Sequence, residues 1–201
     1  RQTILKVHPR KFGKNRYLTW VNLKFTTQQN ETNRGSQMSI PQSGGGLIEH
    51  YGQLAEYLNA GCKQKEDWKI GTEHEKFGYI KDSLAPLPYD GDCSIKAMLQ
   101  GLRDTYHWSE ILEGNNIIGL TKEGANISLE PGGQLELSGA PLDTIHETCD
   151  EVNHHLKEVR DIADKIGAGF LGLGAAPEWT HEEMPMMPKG RYKLMTDYMD
   201  R

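Results

Sequence analysis

Two short segments bring carboxylates together at the spacing of a strand. In GTEHEKFG, residues 71–78, Glu73 and Glu75 are two positions apart. On a strand they share one face, about 7 Å from each other, while Ile70, Thr72 and His74 face the opposite way. Two acids on one face repel, so the pair sits either on a solvated surface or beside cations that offset it. The second segment is NISLEPGGQLELSG, residues 126–139. Ile127, Leu129, Leu135 and Leu137 must share its core face, and pairing Leu129 with Leu135 requires a three-residue loop of Pro131, Gly132 and Gly133. In that register Ser128, Glu130, Gln134 and Glu136 all lie on the other face, with Glu130 opposite Gln134 and Glu136 opposite Ser128. Four glutamates can then line one patch. Hard divalent cations take oxygen ligands, and magnesium combines a few carboxylates with substrate phosphates, so this face suits a metal and nucleotide site.

Other motifs carry less. His74 and Glu75 begin like H-E-x-x-H, but the fifth position is Gly78 and the segment reads as a strand, which excludes a helical zinc site. GAGFLG, residues 167–172, has the glycine spacing of a dinucleotide loop. It follows a helix and precedes a strand, the reverse of the required context, and reads as a helix stop and turn. His154 and His155 fall among polar helix positions and are expected to face solvent. Cys149 falls on an apolar stripe and is expected as a small buried hydrophobe. MPKGRY, residues 187–192, places Lys189 and Arg191 in a glycine-containing loop, as surface charges or, for Arg191, as a bidentate carboxylate binder.

The elements that must position these groups follow from periodicity. Residues 47–60 read as a helix with a glycine cap at Gly61, and 68–80 as a strand. Ser94 caps a second helix through Tyr106. Short strands follow around 117–120, 126–130 and 134–138. Ile145, Cys149, Val152, Leu156, Val159, Ala163 and Ile166 recur at spacings of four and three, which predicts a helix over 143–166 with one apolar stripe. A strand at 170–173 precedes an irregular tail rich in Pro and Met.

The chain has 201 residues with 36% hydrophobic and 25% charged, enough for one domain with a real core. No apolar run approaches the roughly 18 residues of a membrane span. Three dispersed cysteines, Cys62, Cys93 and Cys149, encode neither a disulfide scaffold nor a zinc site, and a cytoplasmic setting is expected. Residues 1–37 hold eight basic residues against one acid, and the remainder holds 15 against 27. The first segment is expected to be a basic leader outside the domain, upstream of a start at Met38. The acidic body repels phosphate backbones, so no nucleic-acid partner is expected.

WKIGTEHEKFGY, NISLEPGGQLELSGAPLDTIHETCDEVNHHL and FLGLGAAPEWTHEEMPMMPKGRYKLM together resemble the glutamate-cysteine ligase family of the plant and proteobacterial type, from about Met38 to Arg201. The resemblance implies an α+β fold like the catalytic half of glutamine synthetase, a curved and mainly antiparallel sheet with outer helices. Residues 38–201 would form the N-terminal part of that domain, truncated at its C-terminus and inactive alone. It implies ATP-dependent joining of the γ-carboxylate of L-glutamate to the amine of L-cysteine through a γ-glutamyl phosphate, with magnesium. By similarity Glu73, Glu75, Glu130 and Glu136 are metal ligands, Glu73, Glu75 and Arg191 serve catalysis, and Lys189 is a companion at the nucleotide. Cys149 stands where plant relatives carry a regulatory cysteine, but no disulfide is expected here. A sister carboxylate-amine ligase and a non-catalytic metal-binding module are the competing readings.

Overall fold

Each strong alternation in the sequence becomes a strand whose apolar half lies under helices. The computed structural model describes residues 47–176 and 178–199. The basic segment 1–37 lies outside these residues. In chain order come α1 (Gly52–Ala60), β1 (Glu73–Ile80), α2 (Ile95–Tyr106), β2 (Ser109–Glu113), β3 (Asn116–Lys122), β4 (Ala125–Glu130), β5 (Gln134–Ser138), α3 (Ile145–Ile166), β6 (Ala168–Leu171) and α4 (Gly190–Met199). The strands form one sheet in the order β2-β3-β4-β5-β1-β6, with every neighbouring pair antiparallel. The fold is α+β, with the expected antiparallel sheet.

Leu120, Ile127, Leu129, Leu135 and Leu137 are fully or almost fully buried, with Ile95, Met98, Leu99, Leu102, Val159 and Ile162 of α2 and α3 in the same core. The Ser94 hydroxyl accepts from Ala97 N at 3.1 Å, and Thr144 with Glu147 forms a reciprocal cap on α3, so both helices start where their side chains satisfy free amides. Gly167 closes α3 in the left-handed region, as the glycine stop required.

Several expectations are corrected. The segment before β1 is not strand: Trp68 is exposed and β1 begins at Glu73. The first helix starts at Gly52, buries none of its residues, and ends at Gly61 in right-handed geometry. The hairpin β2–β3 contains a strand that the sequence reading passed over. The last strand begins at Ala168, two residues early, because pairing with Ile80 of β1 starts there. The tail holds α4.

The largest correction concerns α3. Its buried residues are Thr148, His155, Val159, Ile162 and Ala163, while Ile145 and Cys149 are exposed. A strict four-three spacing is a 3.5-residue period, and a straight α-helix drifts by about 20° per heptad against it. Over three heptads the stripe turns off the sheet at its first residues, and His155 turns in.

Candidate active site

The sheet face away from α2 and α3 carries the carboxylates. Glu75 of β1 lies opposite Glu136 of β5, and Glu136 lies opposite Ser128 of β4. Glu73 is level with Ser138, and Glu130 with Gln134. The turn that fixes this register is Pro131–Gly133, as the apolar pattern demanded. Gly132 and Gly133 hold φ of 75° and 77°, where a side chain is strained. Alternation sends the neighbours of these acids, including Lys76, Leu129 and Leu135, to the helix side.

The face is electrostatically loaded. Glu136 is only 5% exposed and accepts from the Ser128 hydroxyl at 2.8 Å. Burial, then repulsion from Glu136 and Glu73, lifts the Glu75 carboxyl above the usual carboxylate range. Burial likewise raises Glu130, against the pull of Lys189 and Arg191. The Arg191 guanidinium donates to Glu130 Oε1 at 2.9 Å, and Lys189 Nζ lies 3.9 Å from the same oxygen. Behind the face, Lys76 is 1% exposed, donates to its neighbour His74 O at 2.8 Å, and has its pKa lowered by burial to about 8.

The basic pair is placed by α4. Glu113 of β2 accepts from Gly190 N at 2.8 Å, a carboxylate at a helix N-terminus where backbone amides favour it. Lys189 is buried rather than a surface charge, and its Nζ donates to Leu129 O. Tyr192, which sequence reasoning passed over, donates to the same carbonyl at 2.6 Å and offers its ring to Arg191 at 5.2 Å. Nothing in the sequence marks this tyrosine, because its role depends on Leu129 arriving from another element. A cavity of about 680 Å³ opens beside Glu130 and Arg191, walled by Tyr192, Leu194, Met195 and Tyr198.

The structure brings Glu75, Glu136, Glu130, Arg191 and Lys189 onto one face, with Glu73 at its exposed edge. Asn126 Oδ1 and Gln134 Oε1 are buried on that face without hydrogen-bond partners, so its unsatisfied atoms are oxygens, the donors that magnesium takes. Among the described residues no three acid, imidazole or thiol groups converge as a ready-made metal cage. Glu130 is occupied by Arg191, and Glu136 by Ser128.

The family model of glutamate-cysteine ligase family 2 (GCS2) matches residues 69–201. The chain belongs to this family. The chain is 52% identical over 148 residues to a glutamate-cysteine ligase, chloroplastic, of Medicago truncatula, covering 74% of this chain and 28% of the relative. It is 53% identical to glutamate-cysteine ligase A, chloroplastic, of Oryza sativa subsp. japonica over 74% of this chain and 30% of the relative. The corresponding protein of Arabidopsis thaliana is 51% identical over 74% of this chain and 28% of its own length. The chain thus spans under a third of the length of these GCS2 relatives. Their chloroplastic names overturn the expected cytoplasmic setting. Three dispersed, unpaired thiols do not single out one compartment.

Proposed function

We propose that this chain supplies the metal-binding and glutamate-binding face of a glutamate-cysteine ligase, which forms γ-glutamylcysteine from L-glutamate, L-cysteine and ATP. The observation that carries the reading is the sheet face where Glu75, Glu136 and Glu130 meet Arg191 in a member of GCS2. On this reading the sheet is part of a funnel like that of the glutamine synthetase catalytic domain.

Glu73, Glu75 and Glu136 would hold magnesium, and Glu130 would be shared between that set and Arg191. The chemistry a magnesium ion would supply when bound there is neutralisation of charge on the transferring phosphoryl group. Arg191 binds a carboxylate of glutamate bidentately at the mouth of the adjoining cavity, with the Tyr192 ring 5.2 Å from its guanidinium. Lys189, anchored on Leu129 O, sets the positive potential behind that carboxylate. The γ-carboxylate takes the terminal phosphoryl group of ATP, releasing ADP, and the cysteine amine then displaces phosphate to form the amide.

The test places this chain's 148 matching residues in the Medicago truncatula relative, in place of its own, and measures γ-glutamylcysteine with ATP and magnesium. The chimera is expected to form product, and Glu75→Gln and Glu136→Gln in it are expected to lower turnover by about 100-fold or more. Full activity in both variants would remove the metal face from the mechanism. ADP release with other amines but not cysteine would assign a sister ligase.

A further inference from the structure

Glu136 and Glu130 each hold a hydrogen-bond donor of the protein, so a cation that takes their oxygens has to displace one. The donor on Glu136 is Ser128 of β4, itself 2% exposed. Its hydroxyl donates to Glu136 Oε2 at 2.8 Å, and Glu130 Oε1 lies 3.4 Å from the same hydroxyl oxygen. The first length is a full hydrogen bond; the second is longer than a good one and within reach of a rotation about Cβ–Oγ. A serine hydroxyl carries one proton, so it serves one carboxylate at a time. Glu130 Oε1 is also the oxygen to which Arg191 donates at 2.9 Å. Ser128 therefore stands between the carboxylates beside β1 and the guanidinium of α4, joined to the second through a shared acceptor.

The strands set this arrangement. On β5 the residue level with Ser128 is Glu136, and on β3 it is Gly119, which brings no side chain to the face. A Cβ at Gly119 would lie 2.6 Å from Ile127 O, so the backbone of β4 itself keeps that position a glycine. Glu130 follows Ser128 by two residues along β4 and shares its face. Both acceptors offered to the hydroxyl are thus carboxylate oxygens, one on each side of the site.

We propose that Ser128 is a positioning residue that couples cation binding at Glu136 to carboxylate binding at Arg191, a role that rests on reading this face as the metal and glutamate site. With a cation on Glu136 Oε2, the hydroxyl loses that acceptor and turns to Glu130 Oε1. No O–H bond breaks; only the acceptor changes. Glu130 then divides one oxygen between two donors, its hold on Arg191 weakens, and the guanidinium presents its N–H groups to an incoming carboxylate. Linkage makes the effect reciprocal. A carboxylate that draws Arg191 off Glu130 leaves that oxygen to Ser128, and Glu136 to the cation.

The test is calorimetric titration of the full chain with magnesium, with and without saturating L-glutamate, after subtracting magnesium titrated into glutamate alone. It is run on the parent, Ser128→Ala and Ser128→Thr. Glutamate is expected to tighten magnesium by about fivefold or more in the parent and by less than about twofold in Ser128→Ala. Ser128→Thr keeps the hydroxyl and is expected to restore the parent's factor. A serine that only supports the fold would shift the magnesium affinity of Ser128→Ala equally with and without glutamate, and an unchanged factor there would overturn the proposal. So would a parent that binds magnesium with no effect of glutamate, or a Ser128→Thr protein with the parent's circular dichroism melt and the alanine variant's factor. No heat with magnesium in the parent would remove the metal reading of the face and this proposal with it, whereas a factor that survives Ser128→Ala removes the role of Ser128 alone.

Discussion

His155 makes the acid stability of the domain calculable. Its imidazole is buried under α3, and burial, with Lys76 and His74 adding repulsion, lowers its pKa from 6.5 to about 3. The folded state therefore requires the neutral ring, while the unfolded chain takes a proton near pH 6.5. For a group whose folded pKa is depressed, the stabilisation is complete above 6.5 and falls away as pH drops toward 3. Between those values the unfolded state binds one more proton, and the slope approaches 1.36 kcal/mol per pH unit. Integrated from pH 6 to pH 4 with these two values, His155 alone removes about 2.5 kcal/mol. The assay is urea unfolding followed by far-ultraviolet circular dichroism at pH 7, 6, 5 and 4, for the parent and for His155→Leu. The variant is less stable at pH 7 from lost packing, but its stability should fall less steeply, with the two curves converging by about 2.5 kcal/mol over the same window. Parallel curves would refute the account, because they would mean that the ring is hydrated or hydrogen-bonded when folded.

Gly132→Ala places a Cβ 2.1 Å from Met184 Cε at a φ of 75°, so thermal unfolding should show a loss of about 1–3 kcal/mol. Tyr192→Phe removes the 2.6 Å bond to Leu129 O, but Lys189 still donates there, so the cost is about 0.5–1.5 kcal/mol by denaturant titration. Cys62 and Cys149 are exposed, whereas burial and Asp82 raise the Cys93 thiol pKa. Native thiol titration with a chromogenic disulfide should show two fast reactions and one slow, and a single uniform rate would contradict these placements.

The carboxylate face was legible because strand alternation and the PGG turn together admit one register. The leucines of β4 and β5 can all be buried only if Glu130 and Glu136 point away from them. The helices were legible where their ends are marked locally, at Ser94 and Gly167, whereas the Thr144 cap of α3 went unread. What escaped depends on contacts distant in sequence. Lys189 reads as a loop charge until Leu129 O lies beneath it, and α4 has too weak an apolar stripe to announce itself. His155 reads as polar because a 3.5-residue stripe advances about 103° per residue while the α-helix that carries it turns by only about 100°. Its burial comes from the twist of α3 over the sheet rather than from its neighbours in sequence.

The alternation of β1 also guards the fold against a misaligned partner. With Glu73 and Glu75 on one side and His74 and Lys76 on the other, slipping β1 by one residue against β5 would drive two carboxylates into the leucine layer. Hydrophobic patterning alone would penalise such a slip weakly here, because β1 carries few large apolar side chains before Phe77. Charge does the sorting instead, at a cost of several kcal/mol for each stranded ion. The strand that holds two of the candidate metal ligands, Glu73 and Glu75, is thereby also held in step by them.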